Sequence, residues 1–175
     1  MNYPQDYLFY LVHFQGSRDY FECHEILEEY WKDMEPGVKD SHWVGLIQLA
    51  VSQYHHRRKN FAGALKTIAK SISILRTKKD EVLTLGIDYT KLMDALEKSL
   101  ENIKKQLPYQ SINIPVTDSL AEQCKALCVQ EGFTWCTPSN MEDTELVNRH
   151  TIRDRTDVIE EREHQKILRQ NKRKN

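Results

Sequence analysis

The chain has 175 residues, of which 39% are hydrophobic, 9% aromatic and 29% charged, and its formal net charge is -1. This length suits one domain of ordinary size with a tail, and the aromatic content is too high for a fully disordered chain. Six glycines and five prolines exclude a collagen-like or linker-like protein. No stretch reaches the about 20 apolar residues that span a bilayer, so we expect no membrane contact.

The beginning of the chain and its cysteines indicate the compartment. The segment MNYPQDYLFYLVHF has no basic region before its apolar residues and no small-residue cleavage site, so it does not look like a secretory signal. We therefore expect a cytoplasmic protein with reduced thiols. Cys124, Cys128, Cys136 and His150 are the residue types of a zinc site. Their spacing is irregular and lacks a C-x-x-C pattern, so thiols that pack on a helix are the favoured interpretation.

The first 107 residues predict an all-α protein, an antiparallel bundle of about five helices. Two caps support the helix positions: Asp19 is followed by Glu22 as in a capping box, and Asp88 follows Gly86. Short connections between the helices favour antiparallel neighbours. The predicted helices cover about residues 6–14, 19–34, 41–58, 61–76 and 88–107.

The remainder, residues 108–175, is predicted to be a C-terminal extension that packs on the bundle domain of residues 1–107. Residues 109–116 (YQSINIPV) are β-branched and bounded by prolines, which predicts an extended segment. A helix is expected over about residues 118–130, a loop over 132–141 and a charged helix from 156. The basic end of the chain, from about residue 164, is expected to be a flexible tail.

The second predicted helix contains the first candidate site residues. Glu28 lies one turn after His24, whereas Glu25 points about 100° away from His24. His24 and Glu28 are therefore expected to be neighbours in a semi-buried place, which is costly unless both are paired. The stripe expected to face the core consists of Tyr20, His24, Leu27, Trp31 and Met34.

The third predicted helix supplies candidate partners. Gln48, Ser52 and His55 form one narrow polar ridge on a helix that is otherwise apolar nearly all round, which predicts burial. Buried polar groups need hydrogen-bond partners, and His24 and Glu28 are the obvious ones. We therefore predict a polar cleft between the second and third helices.

Two interpretations of these polar residues stay open. One is a satisfied buried network that fixes the helix register. The other is a pocket in which His24, Glu28 and His55 bind a divalent metal, since two imidazoles and a carboxylate suffice for an open zinc or non-haem iron site. The segment His24–Glu28 is similar to the metalloprotease pattern H-E-x-x-H, but glutamate replaces the second histidine.

Three segments together carry a resemblance to a known family. They are F-E-x-H-E-x-L-E-x-x-W at 21–31, G-L-I-Q-x-A at 45–50 and H-x-x-R-x-N-x-x-G-A at 55–64. This combination resembles domain of unknown function 309, a family of small helical proteins of bacteria and archaea. The resemblance implies an all-α bundle and no particular activity. The family positions that this chain matches are His24, Glu25, Glu28, Trp31, Gln48, His55 and Asn60.

The charge is distributed unevenly along the chain. Residues 1–36 hold eight acids and two bases, and residues 41–79 hold eight bases and no acid. Two surfaces that attract each other within one fold would explain this, as would a basic face for a phosphate-bearing partner. Arg57 and Arg58 end the third predicted helix, where cations also suit the helix dipole.

Three functional hypotheses follow. The first is a binding protein whose cleft, with His24, Glu28, Gln48, Ser52 and His55, holds a small ligand or a partner's side chain. The second is a metal-dependent hydrolase that uses His24, Glu28 and His55, with Glu25 or a bound water as base. The third is a scaffold or nucleic-acid-binding protein that uses the basic third and fourth helices. A protein partner or a second copy of the chain is considered for the first and third hypotheses. The supporting residues are Glu25, Trp31, Arg58 and Asn60.

Overall fold

The computed structural model describes residues 2–149, 160, 163 and 164, and this part of the chain is all-α, as predicted. Apart from a five-residue π-helical turn, the helices are α1 (Gln5–Val12), α2 (Tyr20–Met34), α3 (His42–Arg57), α4 (Phe61–Leu75), α5 (Lys79–Thr84), α6 (Tyr89–Lys104), α7 (Asp118–Glu131) and α8 (Thr144–Val147).

The first 107 residues contain six α-helices where the sequence predicts about five, and the additional one is α5. This helix has six residues, and Val82 is its one buried side chain, so it is too short to show an apolar period. The four-residue α8 in the extension was missed for the same reason, since none of its side chains is buried. The predicted helix over 118–130 corresponds to α7.

The corner between α1 and α2 has an unusual backbone. α1 continues into a π-helical turn, His13–Ser17, and the chain then reverses at Arg18, whose φ of 60° is left-handed. The predicted cap is confirmed, because the Asp19 carboxylate accepts a hydrogen bond from the Glu22 amide at 3.1 Å. A side chain other than glycine at a left-handed position costs about 1 kcal/mol, so the contacts of Arg18 must offset strain.

The centre of the core is α3, which packs against α2 on one side and α4 on the other. The expected side-by-side arrangement of the second and third helices is therefore confirmed. α1 is tied to α3 by the Tyr10 hydroxyl, which donates to the Leu46 carbonyl at 2.8 Å. α4 is tied to α3 by the Ser71 hydroxyl, which donates to the Gly45 carbonyl at 2.7 Å. Both contacts lie among buried side chains, where apolar burial contributes about 25 cal/mol per Å².

The segment between α6 and α7 is extended, as predicted, and runs over the bundle. Its Ile114 is 2% exposed. The side chain of Gln15 accepts from the Ile114 amide and donates to the Ile114 carbonyl. The Thr117 amide donates to the Gly86 carbonyl at 2.8 Å, which ties the start of α7 to the turn before α6. Except for residues 160, 163 and 164, the helix predicted from residue 156 and the basic tail lie outside the described residues.

In the part of the chain that the structure describes, no helix combines the length and the apolar character needed to cross a membrane.

Candidate functional site

The buried face of α2 differs from the predicted stripe. Its fully buried side chains are Tyr20, Cys23 and Leu27, whereas Met34, expected in the core, is 61% exposed. The face of α2 that packs against the core is therefore centred nearer to Cys23 than the predicted stripe is. His24 lies at the margin of that face, where its side chain keeps 28% of its exposure. The semi-buried position predicted for His24 is therefore correct, although the stripe itself is not.

Four polar side chains of α2 form one connected group, which we call the His24 cluster: His24, Glu25, Glu28 and Lys32. Nε2 of His24 lies 3.0 Å from Oε2 of Glu28, and Nδ1 of His24 lies 3.1 Å from Oε1 of Glu25. The Lys32 ammonium donates to the other oxygen of Glu28. The expectation that Glu25 points away from His24 is wrong, because a glutamate side chain is long enough to span the angle between adjacent residues of a helix.

The contacts within the His24 cluster set its protonation. Burial by itself would lower the pKa of His24, but hydrogen bonds to Glu25 and Glu28 outweigh it and raise the pKa from 6.5 to about 9. The hydrogen bond from His24 is the main cause that lowers the pKa of Glu28 from 4.5 to about 2, with a further contribution from Lys32. At neutral pH the cluster is therefore an imidazolium held between two carboxylates.

Among the polar residues of α3, the hydrogen bonds of Ser52 lead away from the His24 cluster. Ser52 is fully buried. Its hydroxyl donates to the Leu49 carbonyl at 2.7 Å and accepts from the side-chain amide of Gln53. The Gln53 amide also reaches Ser99 of α6, so this network points toward a different helix. Gln48 is half-buried. A helical wheel gives the direction of a side chain around one axis but does not tell which neighbouring helix lies there.

His55 has a local partner in Asn60. Nδ2 of the Asn60 side chain lies 3.1 Å from Nδ1 of His55. The side-chain oxygen Oδ1 of Asn60 caps α4 by accepting from the Gly63 backbone amide at 3.0 Å. His55 and Asn60 thus hold the turn between α3 and α4. Of the other supporting residues, Trp31 donates to the Val38 carbonyl and Arg58 donates to Tyr54 and Asn148.

A potential metal-binding group exists, and it contains two of the three predicted ligands. Among the described residues, one atom from each of His24, Glu25 and Glu28 lies within 4.8 Å of the other two. His55 is not a member of that group. The ligand set predicted from the sequence, His24 with Glu28 and His55, is therefore corrected to His24, Glu25 and Glu28.

The cysteines of α7 remain packed thiols. Cys124 and Cys128 are buried, and Cys136 is exposed. Burial raises the pKa of Cys124 to about 12, which keeps it a thiol at neutral pH. The three sulfur atoms do not form a group of metal-ligand spacing within the described residues, and His150 lies outside them.

Sequence reasoning missed two buried arginines. Arg57 was predicted on a basic surface, yet it is 3% exposed, and Arg18, which was not singled out, is 1% exposed. Arg57 stacks on the ring of Tyr20, with 4.6 Å from its guanidinium carbon to the ring centre. A basic face on α3 therefore cannot include Arg57. No sequence signal identifies such residues, because arginine is ordinarily a surface residue.

The pKa shifts in the His24 cluster predict how stability depends on pH in the absence of added metal. The raised pKa of His24 stabilises the fold fully below pH 6.5, and this stabilisation is lost as the pH rises through about 9. The lowered pKa of Glu28 stabilises the fold above pH 4.5, and this is lost as the pH falls through about 2. We expect the pair to contribute about 1–2 kcal/mol to the free energy of unfolding, and this contribution to be complete between pH 4.5 and pH 6.5.

Urea unfolding of the wild type and of Glu28→Gln, from about pH 6 to about pH 10, measures this contribution. The wild type should lose about 1 kcal/mol more than the variant over that range, because the variant has lost the pair with Glu28 and keeps only the pair of His24 with Glu25. Parallel curves for the two proteins would contradict the prediction.

Comparison with known proteins places the chain in a family. The family model described as "Domain of unknown function (DUF309)" matches residues 7–67, which include α2, α3 and the start of α4. The chain is 48% identical over 162 residues to the "Uncharacterized protein YpuF" of Bacillus subtilis (strain 168), which covers 92% of this chain and 93% of that protein. No solved structure matches. The chain therefore belongs to the family described as Domain of unknown function (DUF309).

Proposed function

We propose that this protein is a binding protein and that the His24 cluster holds a divalent transition-metal ion. The observation that carries the proposal is that one atom each of His24, Glu25 and Glu28 lies within 4.8 Å of the other two, with Nε2 of His24 and Glu28 as the ligands and Glu25 as the carboxylate that orients the ring. With bonds of about 2.0–2.1 Å and tetrahedral angles, two ligand atoms of one zinc ion lie about 3.3 Å apart. Nε2 of His24 and Oε2 of Glu28 are 3.0 Å apart, so a small movement would seat an ion between them.

The contact between His24 and Glu25 also supports metal binding. A histidine that binds a metal commonly donates its other ring N–H to a carboxylate, which fixes the orientation of the ring. Nδ1 of His24 lies 3.1 Å from Glu25, so Nε2 is the nitrogen turned toward Glu28. Imidazole with carboxylate suits zinc, cobalt, nickel or copper better than calcium or magnesium.

The same contact limits the proposal to binding. Hydrolysis would need a base beside the ion, and Glu25, the residue expected to act as base, is hydrogen-bonded to the imidazole. The cleft for a small ligand between α2 and α3 has less support, because Ser52 and His55 have partners elsewhere. A cytoplasmic location stays a prediction from the sequence.

The test is a titration of the full chain, made without an affinity tag, with Co²⁺ and Zn²⁺. We expect one ion per chain, and we expect His24→Ala to weaken binding at least about tenfold, because it removes the nitrogen ligand. Lys32→Met should strengthen binding, because it removes a cation that competes for Glu28. Binding should also tighten as the pH rises, since the ion must displace the proton of His24.

The matched control is His55→Ala, which removes an imidazole from the neighbouring helix but not from the metal-ligand group. It should bind both ions as the wild type does. Equal affinity of the wild type and His24→Ala, with both proteins folded by circular dichroism, would refute the proposal.

A further inference from the structure

Two guanidinium groups are buried where the C-terminal extension meets the bundle. Arg18 donates to the carbonyls of Thr137 and Ile112 and to the side chain of Asn113. Arg57 is 3% exposed. It donates to the Arg18 carbonyl at 2.8 Å and to the Ser139 hydroxyl at 3.2 Å. Every acceptor is thus neutral.

Among the described residues, the compensation of these two charges is limited to the Tyr20 ring, on which Arg57 stacks. Within residues 2–149, neither Arg18 nor Arg57 forms an ion pair with a carboxylate. Asp19, the adjacent acid, accepts from the Glu22 amide and pairs with Arg149 at 2.7 Å. Buried charges are ordinarily paired, since an unpaired one is expensive to desolvate. Counted over the described residues, the site therefore has an excess of positive charge that an anion would neutralise.

One edge of Arg57 is free to bind such an anion. Its Nε is buried and has no hydrogen-bond partner among the described residues. Nη2, on the same edge of the guanidinium, reaches only the Leu146 carbonyl, at 3.4 Å. Two parallel N–H groups on one edge match two oxygens of a phosphate or carboxylate. A buried donor without a partner is also a place where an ion or a water is expected.

The segment that covers this edge is held weakly. We call residues 140–149 the strap; none of its side chains is fully buried. Polar contacts attach it to the bundle, among them Leu146 with Arg57, Asn148 with Arg58 at 3.1 Å and Arg149 with Asp19. Segments with few buried apolar contacts open at a small fraction of the global free energy of unfolding.

We propose that the Nε–Nη2 edge of Arg57, with Arg58 beside it, is a binding site for a phosphate group that the strap closes. In the closed form the Leu146 carbonyl occupies the place of a ligand oxygen, so the strap and the phosphate compete. Phosphate fits better than a carboxylate because its double charge matches Arg57 and Arg58. The absence of acids from residues 41–79, which include both arginines, favours an anion further.

Calorimetric titration of the full chain with inorganic phosphate, against chloride at the same ionic strength, tests the proposal. Asn148→Ala removes the contact of the strap with Arg58 without a change in charge. We expect it to bind phosphate at least about threefold more tightly than the wild type, because a larger fraction of the chain is open. Adding Arg57→Lys should then weaken binding at least about tenfold, because lysine lacks the two-donor edge. Tighter binding of glycerol phosphate would identify a phosphomonoester as the ligand, and tighter binding of inorganic phosphate would identify the free ion.

Hydrogen exchange of the wild type keeps the test independent of any variant's folding. The amides of Leu146, Val147 and Asn148 each donate at 3.0 Å to Asp143 or Thr144 in and around α8, a four-residue helix that is too short to persist once the strap leaves the bundle. Phosphate should speed their exchange if it displaces the strap. Unchanged exchange at these amides, or equal phosphate affinity of the wild type and Asn148→Ala, would overturn the proposal, and a water bound to Arg57 Nε would then be the explanation.

Discussion

Replacement of Arg18 with alanine is expected to lower the free energy of unfolding by about 2–4 kcal/mol, a large fraction of the stability of an ordinary domain. The side chain donates to three acceptors in the extension, and each such hydrogen bond is worth about 1 kcal/mol. Its burial also fills the corner between α1 and α2, so truncation leaves a cavity. Urea unfolding followed by circular dichroism measures the loss.

Arg18→Gly separates the side chain from the backbone. Glycine adopts the φ of 60° at this position without strain, whereas alanine does not. Arg18→Gly should therefore be less destabilising than Arg18→Ala by about 1 kcal/mol, and the remaining loss reports the guanidinium. Arg76→Ala is the surface control, because Arg76 is 62% exposed and pairs with Glu97; a change within about 0.5 kcal/mol is expected. A similar small effect for Arg18→Ala would show that its hydrogen bonds contribute little.

Gly45→Ala is expected to destabilise the fold by about 2 kcal/mol, although glycine to alanine within a helix ordinarily stabilises by about 1 kcal/mol. An added Cβ would lie 2.6 Å from Cδ2 and 2.7 Å from Cγ of Leu75, so α3 and α4 would have to separate. The separation would also strain the hydrogen bond from Ser71 to the Gly45 carbonyl. Thermal or urea unfolding detects the change.

A double-mutant cycle with Leu75→Ala checks the mechanism. Leu75→Ala alone removes a fully buried side chain and leaves a cavity. In the double variant the new Cβ at residue 45 no longer clashes with Leu75 and keeps only a contact of 3.3 Å with Ile74, so we expect a favourable coupling of at least about 1 kcal/mol. Strictly additive losses would indicate that Gly45 is needed for a reason other than contact with Leu75.

The candidate site shows where prediction from the sequence fails in detail. His24 and Glu28 were predicted as neighbours because residues four apart meet on a helix, and Nε2 of His24 does lie 3.0 Å from Glu28. Glu25, a supporting residue, was predicted to point away from His24 from the direction of its Cα–Cβ bond, but its carboxylate reaches Nδ1 of His24. Helical angles fix where a side chain begins, whereas its rotamers fix where its polar end lies.

The sequence by itself determined the features whose physics is local. The caps Asp19 and Asp88 accept from amides three residues later, so the chain near each cap contains the whole interaction. Helix type and the pairing of His24 with Glu28 follow from the same short range. The tertiary structure alone decided that Arg18 and Arg57 are buried, because their acceptors include Thr137 and Ser139, 119 and 82 residues further along. Contacts at that separation depend on how whole helices pack, and no periodicity within one segment encodes them.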